Sequence, residues 1–334
     1  MTTAARSSRS VVHRLGGRRL RSAVVAVLTA GLSLAVIGTV APTAAHAAPL
    51  PFTVTDRTEA REVKAHQIGY LTASCKPGED RVSGGFYNTA PAYSSTISDD
   101  RMPDLYPVVA NEPLGSSSWR VGLMNRSSGD TVLLVHVLCA SRSLGTVVVS
   151  QTVEIVNSAS GSPWHLVGCP PGTLVTGGGW NSGPVKRLDQ VIAIGASRPN
   201  YSGKDDYWQV WFGIPAESIS RPSDVATVYA VCAADGVGRS ESPEFPFTLL
   251  GGAPDEAVQS QQLATCAGGT KGQLTGAGFE FSVADGTRSL TSLAPYVADA
   301  PSTWSVTVNS LAGSGYEGRV NTTEKGTLLS ACLE

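Results

Sequence analysis

The chain has 334 residues, 42% hydrophobic and 16% charged, with 36 Gly and 20 Pro. Charge-driven disorder does not fit a chain this apolar, and Gly near a tenth excludes a collagen-like repeat. The formal charge of -2 offers no electrostatic footprint for a nucleic acid.

In chain order, residues 1–22 hold Arg6, Arg9, Arg14, Arg18, Arg19 and Arg21 and no acid. An apolar run follows from Ala23 to Val40, then the small-x-small triplet Ala45-His46-Ala47. Basic, apolar and small-residue regions in that order predict a signal peptide over 1–47 and a secreted, extracellular product. The run is long enough, at about 18 residues, to stay as an uncleaved anchor. Gly31, Gly38, Pro42 and the Ala-rich end favour cleavage instead. The leader takes six basic residues with it, so 48–334 keeps 19 basic and 27 acidic residues, a formal charge of -8. That disfavours DNA, RNA and anionic lipid as partners. No later stretch approaches the length of a membrane span, so no membrane contact is expected after cleavage.

Six cysteines follow: Cys75, Cys139, Cys169, Cys232, Cys266 and Cys332. In an oxidising compartment they predict disulfides. Cys75, Cys169 and Cys266 recur with a period of about 95 residues, and each is followed some 65 residues later by a second cysteine. Landmarks repeat between them. A turn comes first: Lys76-Pro77-Gly78, Pro170-Pro171-Gly172 and Gly268-Gly269-Thr270. Gly84-Gly85-Phe86, Gly178-Gly179-Trp180 and Gly276-Ala277-Gly278-Phe279 are next, then a proline at Pro103, Pro199 and Pro295. Trp119, Trp208 and Trp304 each open an alternating strand, and a β-type run ends at the closing cysteine. The order implies an internal repeat in which each cysteine pair closes one module. Closing a loop of that length contributes roughly 4 kcal/mol in the chain-entropy model.

No long segment carries the helical i, i+3, i+4, i+7 pattern. In the second repeat, strands are expected near 146–156, 164–169, 173–180, 188–197, 206–214 and 224–233. The expected fold is all-β: three tandem, disulfide-closed, β-sandwich-like modules over 48–142, 143–240 and 241–334. Charge is uneven among them, and the third module, with 4 basic and 10 acidic residues, carries most of the acidity. The pattern resembles that of uncharacterised secreted actinomycete repeat proteins with a Cys, Gly-Gly-aromatic, Ser/Ala-x-Pro, Trp and Cys module. Cys169, Gly177–Trp180, Ser197-Arg198-Pro199, Trp208 and Cys232 carry the resemblance best, and it spans most of 62–334. Module three departs most, with two extra residues before Phe279. The resemblance implies secretion and the repeat, and no activity.

Little in the chain reads as catalytic chemistry. His66, His136 and His165 fall at unlike positions of the repeat, without metal-ligand spacing. There is no GxSxG elbow, phosphate loop or dinucleotide fingerprint, so no cofactor and no metal is expected. The acidic pairs Glu79-Asp80, Asp99-Asp100 and Asp205-Asp206 suit solvated turns, and calcium through Asp189, Asp205 and Asp206 has little support.

One feature breaks the repeat. By period two, Trp119, Val121 and Leu123 match Trp208, Val210 and Phe212 and match Trp304, Val306 and Val308, an inward face. On the other face Trp211 stands where the sister modules have Gly122 and Thr307. With Arg198, Asn200, Tyr201, Asp205, Asp206 and Tyr207 it forms a candidate binding platform, flat apolar rings beside orienting polar groups. Packing of Trp211 against a neighbouring module is the bland alternative. The expectation is a secreted, non-catalytic protein that binds an extracellular glycan, envelope polymer or protein. The alternatives are a self-associating structural or coat-like protein and an extracellular hydrolase with a site between modules.

Overall fold

A computed structural model describes residues 51–89, 106–155, 163–183, 192–201, 206–213, 224–234, 237–239, 243–249, 257–266, 272–281, 288–295, 303–311 and 324–334. The expected signal peptide, Asp99, Asp100, Pro103, Asp189 and Asp205 lie outside the described residues. Residues 48–334 form one compact unit.

Among the described residues, all regular structure is strand. Repeat one gives β1 (Val54–Val63), β2 (Gln67–Ser74), β3 (Asp80–Asn88), β4 (Val108–Leu114), β5 (Ser118–Asn125) and β6 (Thr131–Ala140). Repeat two gives β7 (Val147–Ile155), β8 (His165–Gly168), β9 (Leu174–Asn181), β10 (Ala193–Asn200), β11 (Tyr207–Gly213) and β12 (Asp224–Ala233). Repeat three gives β13 (Glu244–Leu249), β14 (Ala257–Thr265), β15 (Gln273–Phe281), β16 (Arg288–Pro295), β17 (Thr303–Leu311) and β18 (Glu324–Leu333). All six strands expected in repeat two are present, with β10 displaced toward Asn200.

The all-β class and the three closing disulfides, Cys75–Cys139, Cys169–Cys232 and Cys266–Cys332, are as expected. The packing differs from three separate sandwiches, because each six-stranded sheet is shared by two repeats. The 1–2 sheet runs β2-β5-β4-β9-β12-β7, the 2–3 sheet β8-β11-β10-β15-β18-β13, and the 3–1 sheet β14-β17-β16-β3-β6-β1. Strands at matching positions play matching parts in each, so the repeats are related by an approximate three-fold and the ring closes on itself. Each disulfide joins the end of one sheet to a strand of another: Cys75 follows β2 and Cys139 lies in β6, and the other pairs repeat this.

The Gly-Gly-aromatic motif makes the junction between repeats. β4 meets β9 only through Ala110 and Asn111 against Asn181 and Trp180. β10 meets β15 and β16 meets β3 through the same two positions. A Cβ on Gly179 would lie 1.8 Å from the Asn111 carbonyl oxygen, so only glycine admits the neighbouring strand there. Gly85 and Gly278 face Leu293 and Ser197 carbonyls in the same way. Two residues beyond each junction stands a proline, Pro113, Pro199 or Pro295, paired with the strand-opening Trp. It has no N–H to offer a further ladder bond, which stops the junction. The repeat-one counterpart is therefore Pro113, not Pro103 as the sequence alone suggested.

Inside the ring, Trp119, Trp180, Trp208, Trp304, Phe86, Phe212 and Phe279 are fully buried in one core drawn from all three repeats. The Trp119 indole donates to Asn111 Oδ1 at 2.7 Å, and the Trp208 indole to Ser197 Oγ at 2.9 Å. At the matching position repeat three has Leu293, and the Trp304 indole N–H is left without an acceptor.

Candidate functional site

The outer face of the 2–3 sheet collects most of the unusual residues. β11 alternates, sending Trp208, Val210 and Phe212 inward and Tyr207, Gln209 and Trp211 outward. Its partner β10 sets Arg198 opposite Gln209 and Asn200 opposite Tyr207. On the other side β8 sets Leu166 opposite Gln209. Just before β8, Trp164 stacks on Trp211 with ring centroids 5.8 Å apart and planes 29° from parallel. Trp164 is 39% exposed and Trp211 half-buried, so the indole pair forms an apolar step on the surface.

Polar groups border that step. The Arg198 guanidinium carbon lies 5.7 Å from the Trp164 ring centroid. Arg198 Nε contacts Glu280 Oε2 at 3.0 Å. With its amide oxygen turned toward Arg198, Gln209 accepts from Nε at 2.5 Å and Nη2 at 2.8 Å. Among the described residues of this face, the Arg198 guanidinium is matched by the Glu280 carboxylate. Donors and acceptors thus stand beside the stacked rings.

Four of the expected residues, Arg198, Asn200, Tyr207 and Trp211, meet on this face. Two do not. Tyr201 turns toward the core and donates to the Ser330 carbonyl at 3.2 Å. Asp206 is buried, accepts from the Val175 N–H at 3.0 Å and pairs with Arg239, whose guanidinium lies 4.2 Å from the Tyr201 ring centroid. Together they fasten the chain end to repeat two, because Arg239 also bridges to Leu333. Proximity in the loop misled: a buried carboxylate needs partners, and Asp206 finds them at the strand end, away from solvent. Trp164, Gln209 and Glu280 were not singled out from the sequence. Trp164 precedes the strand that flanks Trp211, a visible signal. Glu280 belongs to repeat three and reaches the face only through the shared sheet.

His136 and His165 are tied into the frame. His136 is buried on the 3–1 sheet, with Nδ1 2.9 Å from Asp56 Oδ2 and 3.1 Å from Thr58 Oγ1. Burial lowers the pKa of His165, whose ring is 5.6 Å from Phe212. Cys75, Glu79 and Cys139 are grouped closely enough to suggest a metal site. Both sulfurs are bonded to each other and Glu79 is paired with Arg57, so no ligand set remains there. No protein-family model matches the chain, and no curated protein is similar to it.

Proposed function

We propose that the chain is a secreted, non-catalytic carbohydrate-binding protein whose primary contact is the outer face of the 2–3 sheet. The stacked Trp164–Trp211 step beside a neutralised Arg198–Glu280 pair carries this reading. Sugar rings present flat C–H faces that stack on indoles, and their hydroxyls bond to groups such as Asn200 and Arg198. Charge balance favours an uncharged polysaccharide over an acidic envelope polymer. Three disulfides fit the oxidising space outside a cell, and the signal-peptide pattern of 1–47 supports export.

The test is retention on uncharged polysaccharides in affinity electrophoresis. Trp211→Ala and Trp164→Ala should each weaken retention roughly 30-fold, the scale of a central aromatic contact of about 2 kcal/mol. Raising salt should change retention little, because no net charge is engaged. Retention that disappears in high salt, or that ignores both substitutions, refutes the reading.

Self-association is a second reading, favoured by edge strand β7, where Val147 and Val148 are exposed. Sedimentation of the wild type against Val148→Lys separates it. A monomer in both leaves that reading without support.

A further inference from the structure

The approximate three-fold places two other faces in register with the first. Aligned on Pro113, Pro199 and Pro295, the Arg198 position is held by Glu112 on the 1–2 sheet and Ala294 on the 3–1 sheet. The Gln209 position is held by Arg120 and Ser305, and the Trp211 position by Gly122 and Thr307. Opposite these, across the edge strand, Tyr70 and Gln261 stand where Trp164 stands on the 2–3 sheet.

The 1–2 face is built around Glu112, which is 2% exposed. Arg120 donates to it through Nε at 2.8 Å and through Nη2. Asn181 Nδ2 lies 3.0 Å from both carboxylate oxygens, and Tyr229 bonds to the same group. Burial together with Glu112 pushes the Tyr229 hydroxyl up to about 12, and burial raises Tyr70 as well. Both phenols are therefore neutral hydrogen-bonding groups at any physiological pH. The Tyr70 ring lies across Gly122, where a Cβ would come within 2.5 Å of its Cε1, and it remains 39% exposed. Arg120 sits 5.6 Å from the ring centroid. An aromatic ring, a guanidinium whose charge is matched by a buried carboxylate, and an amide recur here at the positions used on the 2–3 face. The chemistry is the same although the residues have changed places: the cation is on β5 instead of β10, and the carboxylate on β4 instead of β15.

We propose that the outer face of the 1–2 sheet is a second site for an uncharged polysaccharide, formed by Tyr70, Arg120, Asn181 and Tyr229 around Glu112. The ligand class rests on the reading of the 2–3 face given above. Among the described residues the 3–1 face has Gln261 and Thr307 at the two aromatic positions, Ala294 and Ser305 at the two guanidinium positions and the exposed Tyr87 where Glu280 and Asn181 stand on the other faces, so the proposal covers two faces and makes the protein bivalent. The two faces look in different directions around the three-fold. One straight polymer chain cannot lie along both, and the protein bridges two chains.

The experiment uses the purified protein with hydroxyethylcellulose, arabinoxylan, soluble starch and glycol chitin. Retention is read by affinity electrophoresis and bridging by light scattering. The wild type should be retained by at least one polymer and raise its scattering. Tyr70→Ala and Trp211→Ala should each stay measurably retained while scattering falls to that of the polymer alone, and Tyr70→Trp should restore it. Retention lost in the double variant completes the assignment. Scattering unchanged by Tyr70→Ala overturns the second site. So does a wild type that is retained without bridging and released by Trp211→Ala alone, an outcome that leaves the first site standing. No retention on any of the four polymers overturns both sites. Circular dichroism of each variant shows that the fold is kept.

Discussion

Excising one repeat tests the ring. A fragment spanning 143–240 carries its own disulfide, its own Trp208 and all six of its strands. It lacks everything the neighbours supply. β9 loses β4, and β10 loses β15. The Thr176 hydroxyl loses the Val82 carbonyl at 2.7 Å, Ser182 loses the Val109 carbonyl, and Asn181 loses Glu112. Trp180 is fully buried in the ring, with Phe279 packed edge-on at 6.3 Å. Uncovering a side chain of that size costs on the order of 2–3 kcal/mol, and each hydrogen bond about 1 kcal/mol. The sum is on the order of 7 kcal/mol. A domain of about 95 residues has a net stability of only roughly 5–14 kcal/mol even when complete. The fragment should therefore show no cooperative melt as a monomer. Since the repeats fit one another cyclically, any folded population at higher concentration should be a trimer. Size-exclusion chromatography with light scattering, and near-ultraviolet circular dichroism, read both points. A monomer with a sharp transition and native aromatic signals would refute the shared-sheet account.

Three further outcomes follow from named contacts. Trp119→Phe and Trp208→Phe strand the Asn111 and Ser197 acceptors, whereas Trp304→Phe removes a donor that has none. Chemical denaturation should find Trp304→Phe less costly than the other two by about 1–2 kcal/mol, and equal costs would contradict the orphan N–H. Gly179→Ala puts a methyl where the Asn111 carbonyl sits, so it should lower the melting temperature by roughly 10 °C or prevent folding, and a neutral result would mean the junction yields freely. Glu79 is held below the usual carboxylate range, first by its bond from Arg57 and then by the Lys76 N–H. A depressed folded value means its contribution is complete above about pH 4.5 and fades as pH falls through that lower value. Arg57→Ala should therefore cost about 0.5–1 kcal/mol at pH 7 and progressively less as the pH falls below 4.5, and a cost that does not shrink in acid would break the assignment.

Strand content and disulfide pairing were legible because both are local or nearly so. Alternation names a strand within one window, as β11 and β12 show, and a repeated spacing ties each cysteine to its partner. Sheet sharing was not legible. The residues that fix it, Gly179 against the Asn111 carbonyl and Phe279 beside Trp180, have the same identity whether a strand joins its own repeat or the next one. The boundaries near 143 and 241 mark units of sequence, yet no sheet respects them. The same blindness hid half of the candidate site. Trp211 stood out as a departure from the repeat, while Glu280 could be placed beside Arg198 only after β10 and β15 were seen to pair. Asp206 was misassigned for the opposite reason: a turn acid next to Tyr207 looks solvated until its backbone and Arg239 partners are seen.

Sharing sheets has a consequence for how the three faces differ. The inward positions are nearly fixed, because each Trp, each junction glycine and each closing proline must fit a neighbour as well as its own repeat. Outward positions at the same register are free of that packing demand. Arg198, Glu112 and Ala294 occupy one equivalent place, and Trp211, Gly122 and Thr307 another, over the same backbone geometry. Every candidate face is also composite: Glu280 completes the repeat-two residues, and Asn181 and Tyr229 complete those of repeat one. The proposed binding chemistry therefore depends on ring closure, and Asn181 and Glu280 serve both, since they stand at the β4–β9 and β10–β15 junctions. A substitution at a junction should abolish sites on two faces at once, whereas one at Tyr70 or Trp211 should silence a single face and leave the melting temperature nearly unchanged.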